Sequence, residues 1–540
     1  MLELSELKLA VDHVEEDLYM AVARALRVVP QAVTKVGVYR RAVDARHGKV
    51  SLNYTVHVEV TDEEEAMRQH DPALARVSPV PERNYKGLPE ITQGRRLPAQ
   101  RPVIVGTGPC GLFCALILAR AGWRPIVLER GKQAGPRARD VTGFWRRGLE
   151  LDPDSNVQFG EGGAGTFSDG KLYTQIKDRD HRIPWLLREM VKAGAPEDIL
   201  VKARPHIGTD RLITVVRHVR EEIISLGGDL RYSTTLTGLL KDAAGAVRGV
   251  ELSTGGEIAA ERVVIAIGHS ARDTFSMLYE AGVCMEAKSL SIGVRIEHPQ
   301  GLIDQTQYGR WAGQQRLGAA PYKFVHHSRN GRAAYSFCMC PGGLVVAASS
   351  EPGGVVTNGM SSYARAEANA NAGFMVDISP DDYAHAGGSG PLAGIDFQRL
   401  WERRAFIEGG RNYYAPVQTS GDFLARRATG VLGSVVPSYQ PGVTPCDLHA
   451  LMPAYVTETL REAIPAIERQ LRGFAHPEAV LTAVETRSSS PLRMTRHPET
   501  FHSISTPGLY PAGEGAGYAG GIISAAVDGM RIAEALLREL

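Results

Sequence analysis

The sequence is poor in cysteine and has no long apolar run. Six cysteines (Cys110, Cys114, Cys284, Cys338, Cys340 and Cys446) are scattered over 540 residues. That is too sparse for a disulfide scaffold and points to a reduced, cytoplasmic protein. No apolar stretch approaches the ~20 residues that cross a bilayer. The opening MLELSELKLAVDH lacks the basic segment and apolar core of a signal peptide, so neither membrane insertion nor export is expected. An excess of one charge is missing too. Lys and Arg number 61 against 60 Asp and Glu, which leaves no basic footprint for nucleic acid or an anionic membrane surface. There is no internal repeat and no low-complexity tract. No Ser/His/Asp spacing supports a hydrolase, and no Cys/His spacing fits a zinc site, so no metal is expected.

What is present is an ordinary globular composition, 43% hydrophobic and 22% charged, on a chain long enough for roughly two to four domains. In SLNYTVHVEV, Leu52, Tyr54, Val56, Val58 and Val60 alternate with polar residues, the pattern of a strand with one buried face. His57 lies on the polar face and reads as solvated. Upstream, Leu18, Val22, Ala25, Leu26 and Val29 recur at helical spacing. Residues 1–70 are therefore expected to form an α+β unit, ferredoxin-like in its order of elements. Residues 71–102, rich in Pro and Arg, read as a linker.

The stretch PVIVGTGPCGLFCALILARAGWRPIVLERG carries a complete βαβ nucleotide pattern. Val103 to Val105 form a strand, Gly106, Gly108 and Gly111 make a G-x-G-x-x-G turn, and a helix from Leu112 leads to a second strand ending at Glu129. An acid about 20 positions on completes the dinucleotide fingerprint. Gly106 permits the tight turn, Gly108 lets a pyrophosphate approach, and Gly111 lets helix and strand pack closely. Pro109 and Cys110 complete the turn before a helix whose N-terminus offers free N–H groups to the phosphates. Glu129 suits ribose hydroxyls and repels a 2′-phosphate, which argues against NADP here. Cys110 and Cys114, at i and i+4, read as packed core thiols rather than a redox pair.

Later segments bring in a resemblance. Glu129-Arg130, the run RVVIAIGHSA and the ending GLYPAGEGAGYAGGIISAAVDGMRIAEAL resemble the FAD-binding motifs of the glutathione-reductase-like superfamily. Ala266-Ile267-Gly268 stands where that superfamily has A-T-G. FGEGGAGTFSDGKLY, YSFCMCPGG, NYYAPVQT and GEGAGYAGGI together resemble the bacterial family called uncharacterised FAD-dependent dehydrogenases, over nearly the whole chain. The resemblance implies FAD as cofactor; NAD(P)H could dock directly on the flavin as a transient electron donor. It implies that the loop holding Gly160, Gly162, Gly163 and Gly165 runs past the cofactor, that Ser168 to Lys171 then turn the chain away, and that Lys171 could approach the ring or the substrate. The alternative for that loop is a surface role. Leu236 would contact adenine, and Ala266, Gly268 and Gly513 would line the site. Glu514 would bond a ribityl hydroxyl. Gly520, Gly521 and Ile522 would open a last helix whose N-terminus stabilises reduced flavin.

Residues 271–485 lie between FAD motifs and read as an inserted substrate domain, with no second G-x-G-x-x-G. The expected fold class is α/β: a Rossmann-like FAD domain from residues 103–270 and 486–540, the insertion of mixed α/β structure, and the N-terminal α+β unit. Cys338 and Cys340, one residue apart on an expected strand, are a reactive thiol near the flavin, half of a metal site, or a packed pair. Tyr413, Tyr414, Gln418, Glu485 and Ser488 are further candidates. Arg487 and Arg493 could clamp a carboxylate substrate or serve structural ion pairs. The catalytic candidates are Cys338, Cys340, Lys171 and Arg487. The expected function is hydride transfer between flavin N5 and a small organic substrate. The alternatives are a flavoprotein acting on a macromolecule such as tRNA, or a binding protein in which FAD is structural.

Overall fold

The computed structural model describes residues 1–85, 87 and 97–539. Part of the stretch read as a linker, residue 86 and residues 88–96, lies outside them.

At the N-terminus, elements run β-α-β-β-α-β. An antiparallel sheet forms in the spatial order Val33–Asp44, Ser51–Val60, Leu2–Leu9, Arg76–Pro79. This is the ferredoxin-like strand order. Its fourth strand falls inside the stretch read as linker. Leu52, Tyr54, Val56 and Val58 face the core with Leu18, Val22, Ala25 and Leu26 from the helix Glu15–Leu26. Val29 does not join them: Arg27 ends the helix in the left-handed conformation, and Val29 is exposed. His57 is not simply solvated. Its Nε2 lies 3.1 Å from Glu3 Oε2 and its ring stacks on Tyr39.

The nucleotide pattern builds a five-stranded parallel sheet in the order Leu509–Pro511, Val263–Ile265, Val103–Val105, Ile126–Leu128, Asp229–Arg231. Four of these strands are three-residue apolar segments buried on both faces, as a helix-covered parallel sheet requires, and the edge strand Asp229–Arg231 is half-buried. The helices Pro109–Arg120 and Ile522–Arg538 pack on it against each other. They approach closely because Gly529 has no side chain: a Cβ there would overlap the Cys110 carbonyl. An antiparallel meander, Leu236–Lys241, Val247–Leu252 and Glu257–Ala259, sits beside the sheet, with a turn over residues 242–246.

Between the strands Val263–Ile265 and Leu509–Pro511 the chain builds a second large sheet of seven strands. Their order is Val325–His327, Ala333–Cys340, Asn369–Ile378, Leu290–Pro299, Val480–Glu485, Ala415–Thr419, Val443–Pro445. All its pairs are antiparallel except the last. Met285–Ala287 pairs with Leu492–Met494, so the segments leading into and out of this sheet are tied together.

Candidate active site

One cavity of about 650 Å³ runs between the parallel sheet and the seven-stranded sheet. That volume lies within the range of cofactor and ligand sites. Two helix N-termini open on it. Gly108, Pro109 and Cys110 begin one helix, and Gly520, Gly521, Ile522 and Ser524 begin the other. Each end presents unpaired backbone N–H groups and a partial positive charge to the same space.

The glycines divide into two kinds. At Gly106, φ is +106°, and a Cβ would overlap the Ala266 carbonyl. At Gly111 a Cβ would overlap the Gly106 carbonyl, and Gly111 does not line the cavity. Both are demanded by the chain itself. At Gly108 the nearest protein atom to a Cβ is Gly163 Cα at 3.9 Å. At Gly268, Gly520 and Gly521 no protein atom lies within 4 Å of one. These four open toward the cavity, leaving a cradle that side chains would fill. The donors and the cradle fit a dinucleotide pyrophosphate.

The Gly-rich loop is a correction in part. Gly160, Gly163 and Ser168 line the cavity, but Gly162 does not: its missing Cβ makes room for Thr166 and Val216. Gly160 is on the cavity wall, yet its missing Cβ makes room for the Arg137 side chain. Arg137 is fully buried and donates to the carbonyls of Asn156, Val157, Gly160 and Glu161, so it holds the loop in shape.

Glu129 lines the cavity but is already engaged. Its Oε2 accepts from Thr107 N at 3.0 Å and Thr107 Oγ1 at 2.6 Å. Its Oε1 accepts from Gly131 N at 2.9 Å and Gly160 N at 3.0 Å. A carboxylate has about four acceptor positions. A ribose hydroxyl can therefore join only by displacing the Thr107 hydroxyl, the one donor free to rotate. Arg130 lines the same end, bonded to Asp273 at 2.5 Å and lying over the Phe159 ring. Leu236 is there too, with Thr234 and Thr235. Ala266, Gly513 and Glu514 line the cavity. Burial raises the Glu514 carboxyl to about 7, against the pull of the Gly521 amide and Lys288. Cys110 and Cys114 are packed thiols pushed up by burial.

Lys171 and Cys338 meet on the cavity wall. Lys171 Nζ lies 3.3 Å from Asp169 Oδ2, 3.9 Å from Cys338 Sγ and 4.0 Å from Cys340 Sγ. Asp169 is fully buried and clamped by Arg365 at 2.9 and 2.5 Å, with Ser361 at 2.5 Å. Burial alone would raise its carboxyl, but Lys171 and Arg365 overcome that and hold it well below the carboxylate range. The two cysteines are not equivalent. A bulge between Phe337 and Cys340, with Cys338 at φ +41°, leaves Cys338 half-buried on the cavity, while Cys340 is fully buried and off it.

Arg487 lines the cavity but is not a free clamp. Its guanidinium is bonded to Glu402 at 3.1 and 2.9 Å and to Ser350. Glu402 also takes both Nη atoms of buried Arg272. Burial would raise Glu402, and the two guanidinia reverse this and keep it charged. Arg493 is off the cavity, paired with Glu286 and lying over Tyr518. Tyr413, Tyr414 and Gln418 do not reach it either. The Tyr413 ring packs on Phe144 and Phe406, and the Gln418 amide ties Arg427 to Leu448. Glu485 is buried behind the wall on Arg295. Ser488 lines the cavity.

His269 is a cavity residue the pattern reading missed, although it directly follows Gly268. Its Nδ1 lies 3.0 Å from Ser270 Oγ, which donates to Gln158 Oε1. Gln158 Nε2 donates to the Ala348 carbonyl, and that fixes the direction of the chain: His269 donates from Nδ1. Burial, with Arg487 and Arg272, pulls the imidazole down to about 4, so it is neutral. Among the described residues no group of three His, Cys, Asp or Glu is placed to hold a metal ion.

Residues 289–488 match the family described as FAD-dependent protein, C-terminal domain-like, and residues 1–59 match a domain of unknown function. A protein of Clostridium beijerinckii, itself uncharacterised, is 43% identical over 100% of this chain and 99% of its own length. Among solved structures, a halogenase in complex with FAD overlaps 82% of this chain and 70% of its own at 9% identity and a TM-score of 0.38. The L-proline dehydrogenase of P. horikoshii overlaps 82% and 95% at 12% identity and a TM-score of 0.33. These structural likenesses are loose, and no activity follows from them. By its end-to-end match to the clostridial protein and by the domain at residues 289–488, the chain belongs to a family of FAD-dependent proteins.

Proposed function

We propose that the protein is an FAD-dependent oxidoreductase of the glutathione-reductase-like type. It would move a hydride between flavin N5 and a small organic molecule at the Lys171–Cys338 end of the cavity. The observation that carries this reading is the convergence of two helix N-termini and four cavity-facing glycines on one space. The residues at Gly108–Cys110 and at Gly268 suit the pyrophosphate. Thr234–Leu236 and Glu129 suit the adenosine end.

When bound, a flavin supplies a reversible two-electron site. The chain's own residues do the rest. The N–H groups from Ile522 to Ser524, at the start of the last helix, offer fixed donors to negative charge. Lys171 holds a proton close to the same space, and Asp169 with Arg365 fixes its position. His269 offers a neutral imidazole, and Glu514 a carboxyl near neutrality. NAD(P)H, docking directly on the flavin, is the proposed electron donor.

The test is the visible spectrum of the purified protein before and after anaerobic NADH and NADPH. A flavin spectrum bleached by one nicotinamide supports a reductase. A flavin spectrum that no nicotinamide bleaches removes NAD(P)H as donor. No flavin after reconstitution with FAD overturns the proposal.

A further inference from the structure

We propose that Cys338 is a nucleophilic thiolate that captures an electrophilic alkene, one conjugated to a carbonyl group, at the open end of this cavity. The site is the one read above as the substrate end. The inference rests on the chain's own side chains and not on the flavin, so either reading can fail alone.

The two cysteines of YSFCMCPGG have different tasks. Cys340 keeps its proton: its S–H lies 3.2 Å from the Cys338 carbonyl oxygen, and the side chain is fully buried. Cys338 faces the cavity, with the Lys171 ammonium 3.9 Å away. Its backbone is held at φ +41°, a conformation that non-glycine residues rarely adopt and that tends to persist at functional sites. The same carbonyl accepts from Arg295 Nη1 at 2.8 Å, which anchors the bulge.

The charges around the sulfur are accounted for from every side. Asp169 is shared by Arg365, Ser361 and Lys171; its charge opposes a thiolate at Cys338, and that of Lys171 favours one. Glu485 is taken up by Arg295. Glu514 lines the same cavity, and burial, with the Cys338 charge, favours its neutral form. The Cys340 thiol, with Lys171 and Arg295, outweighs burial and the Asp169 charge and holds the Cys338 thiol well below its ordinary range. Cys340 is held well above it by its neighbour and by burial. A low-lying, accessible thiol beside fixed cations is the environment of reactive cysteines.

Tyr322, Phe337 and Met339 give the cavity that Cys338 lines apolar surface, beside the polar Lys323, Ser336 and Asn358. A thiolate with an ammonium about 4 Å away pairs a soft nucleophile with a cation for the charge it creates. In the step, Cys338 Sγ bonds to the β carbon of the alkene. The C=C pair moves to the α carbon and the carbonyl oxygen. Lys171 gives its proton to the α carbon and regains one from water. The product is a thioether; no oxidant or reductant enters, and reversal releases the alkene.

The probe is N-ethylmaleimide, itself an alkene conjugated to carbonyls, applied in limiting amount to the purified full-length protein with its bound cofactor. Labelled peptides are mapped by mass spectrometry from pH 5 to 9. The expected result is that the Cys338 peptide is labelled first, with a pH midpoint at least one unit below the ~8.5 of a free thiol. Lys171→Met moves that midpoint up by a unit or more, Cys340→Ala, which removes the neighbouring thiol, moves it up as well, and Cys338→Ser abolishes the fast phase. If the variants do not fold, the wild-type profile still decides. A Cys338 midpoint at or above ~8.5, or labelling of Cys284 or Cys446 before Cys338, overturns the proposal.

Discussion

Gly108 and Gly111 sit in the same turn, and the structure assigns them opposite duties. Gly111→Ala places a methyl on the Gly106 carbonyl oxygen. No rotamer relieves a Cβ, so the helix must move off the strand. A clash with backbone in a packed core belongs to the severe end of single substitutions, about 3 kcal/mol or more. Gly108→Ala meets nothing nearer than Gly163 Cα at 3.9 Å, and its φ of −67° is open to any residue. Loss of unfolded-chain entropy stabilises such a change by about 0.4–1 kcal/mol. Loss of a favourable N-cap residue takes back roughly 0.5–1 kcal/mol. The net effect on folding stays within about 1 kcal/mol. Yet the methyl covers the cradle beside the helix N-terminus, and FAD binding should weaken at least tenfold, about 1.4 kcal/mol. Denaturant unfolding of the flavin-free protein and titration with FAD read the two effects separately. The reasoning is refuted if Gly108→Ala binds FAD as the wild type does, or if it loses as much stability as Gly111→Ala.

Three further outcomes are expected. Glu402→Gln strips one partner from two buried guanidinia, Arg272 and Arg487; it should destabilise the fold by about 3–5 kcal/mol in urea unfolding, and a change below 1 kcal/mol would mean that solvent reaches the pair. Gly162→Ala, at φ +85° against Thr166, should lower stability by about 1–3 kcal/mol while leaving FAD affinity unchanged, since this glycine faces the chain and not the cavity. Glu514→Gln should change the pH dependence of stability. The folded carboxyl titrates at about 7 against ~4.3 when unfolded, so the stability its neutral form contributes is full below ~4.3 and lost as pH rises through 7. The variant stays uncharged and should gain on the wild type between pH 5 and 8; a gap that does not change with pH would count against a buried, protonated Glu514.

The parts of this molecule that were legible in its sequence are the local ones. The spacing of Gly106, Gly108 and Gly111 between two short apolar strands specifies the turn, the helix start and the parallel pairing within some thirty residues, and the same holds for the last helix after Gly521. Strand alternation over residues 51–60 showed one buried face directly. The fourth strand of that sheet, Arg76–Pro79, was missed because it is short, bears a proline and takes its strand character from pairing with Leu2–Ser5.

A missing Cβ shows that something must come close, but not what. At Gly108 the neighbour is open cavity; at Gly160 and Gly162 it is Arg137, Thr166 and Val216, each supplied by packing that the run of glycines does not display. Charged residues pose the same problem at longer range. Arg487 looked like a substrate clamp because its partner Glu402 stands 85 positions earlier, on a helix of the insertion. Lys171 and Cys338 are 167 positions apart and looked like separate candidates, yet a loop of the nucleotide domain and a bulged strand of the insertion bring them within 3.9 Å. A side chain left with spare charge after the fold has paired its neighbours is one the fold has kept for something else. By that measure we propose Lys171, which shares Asp169 with Arg365 and lies 3.9 Å from Cys338, rather than Arg487, as the cation around which chemistry in this cavity is built.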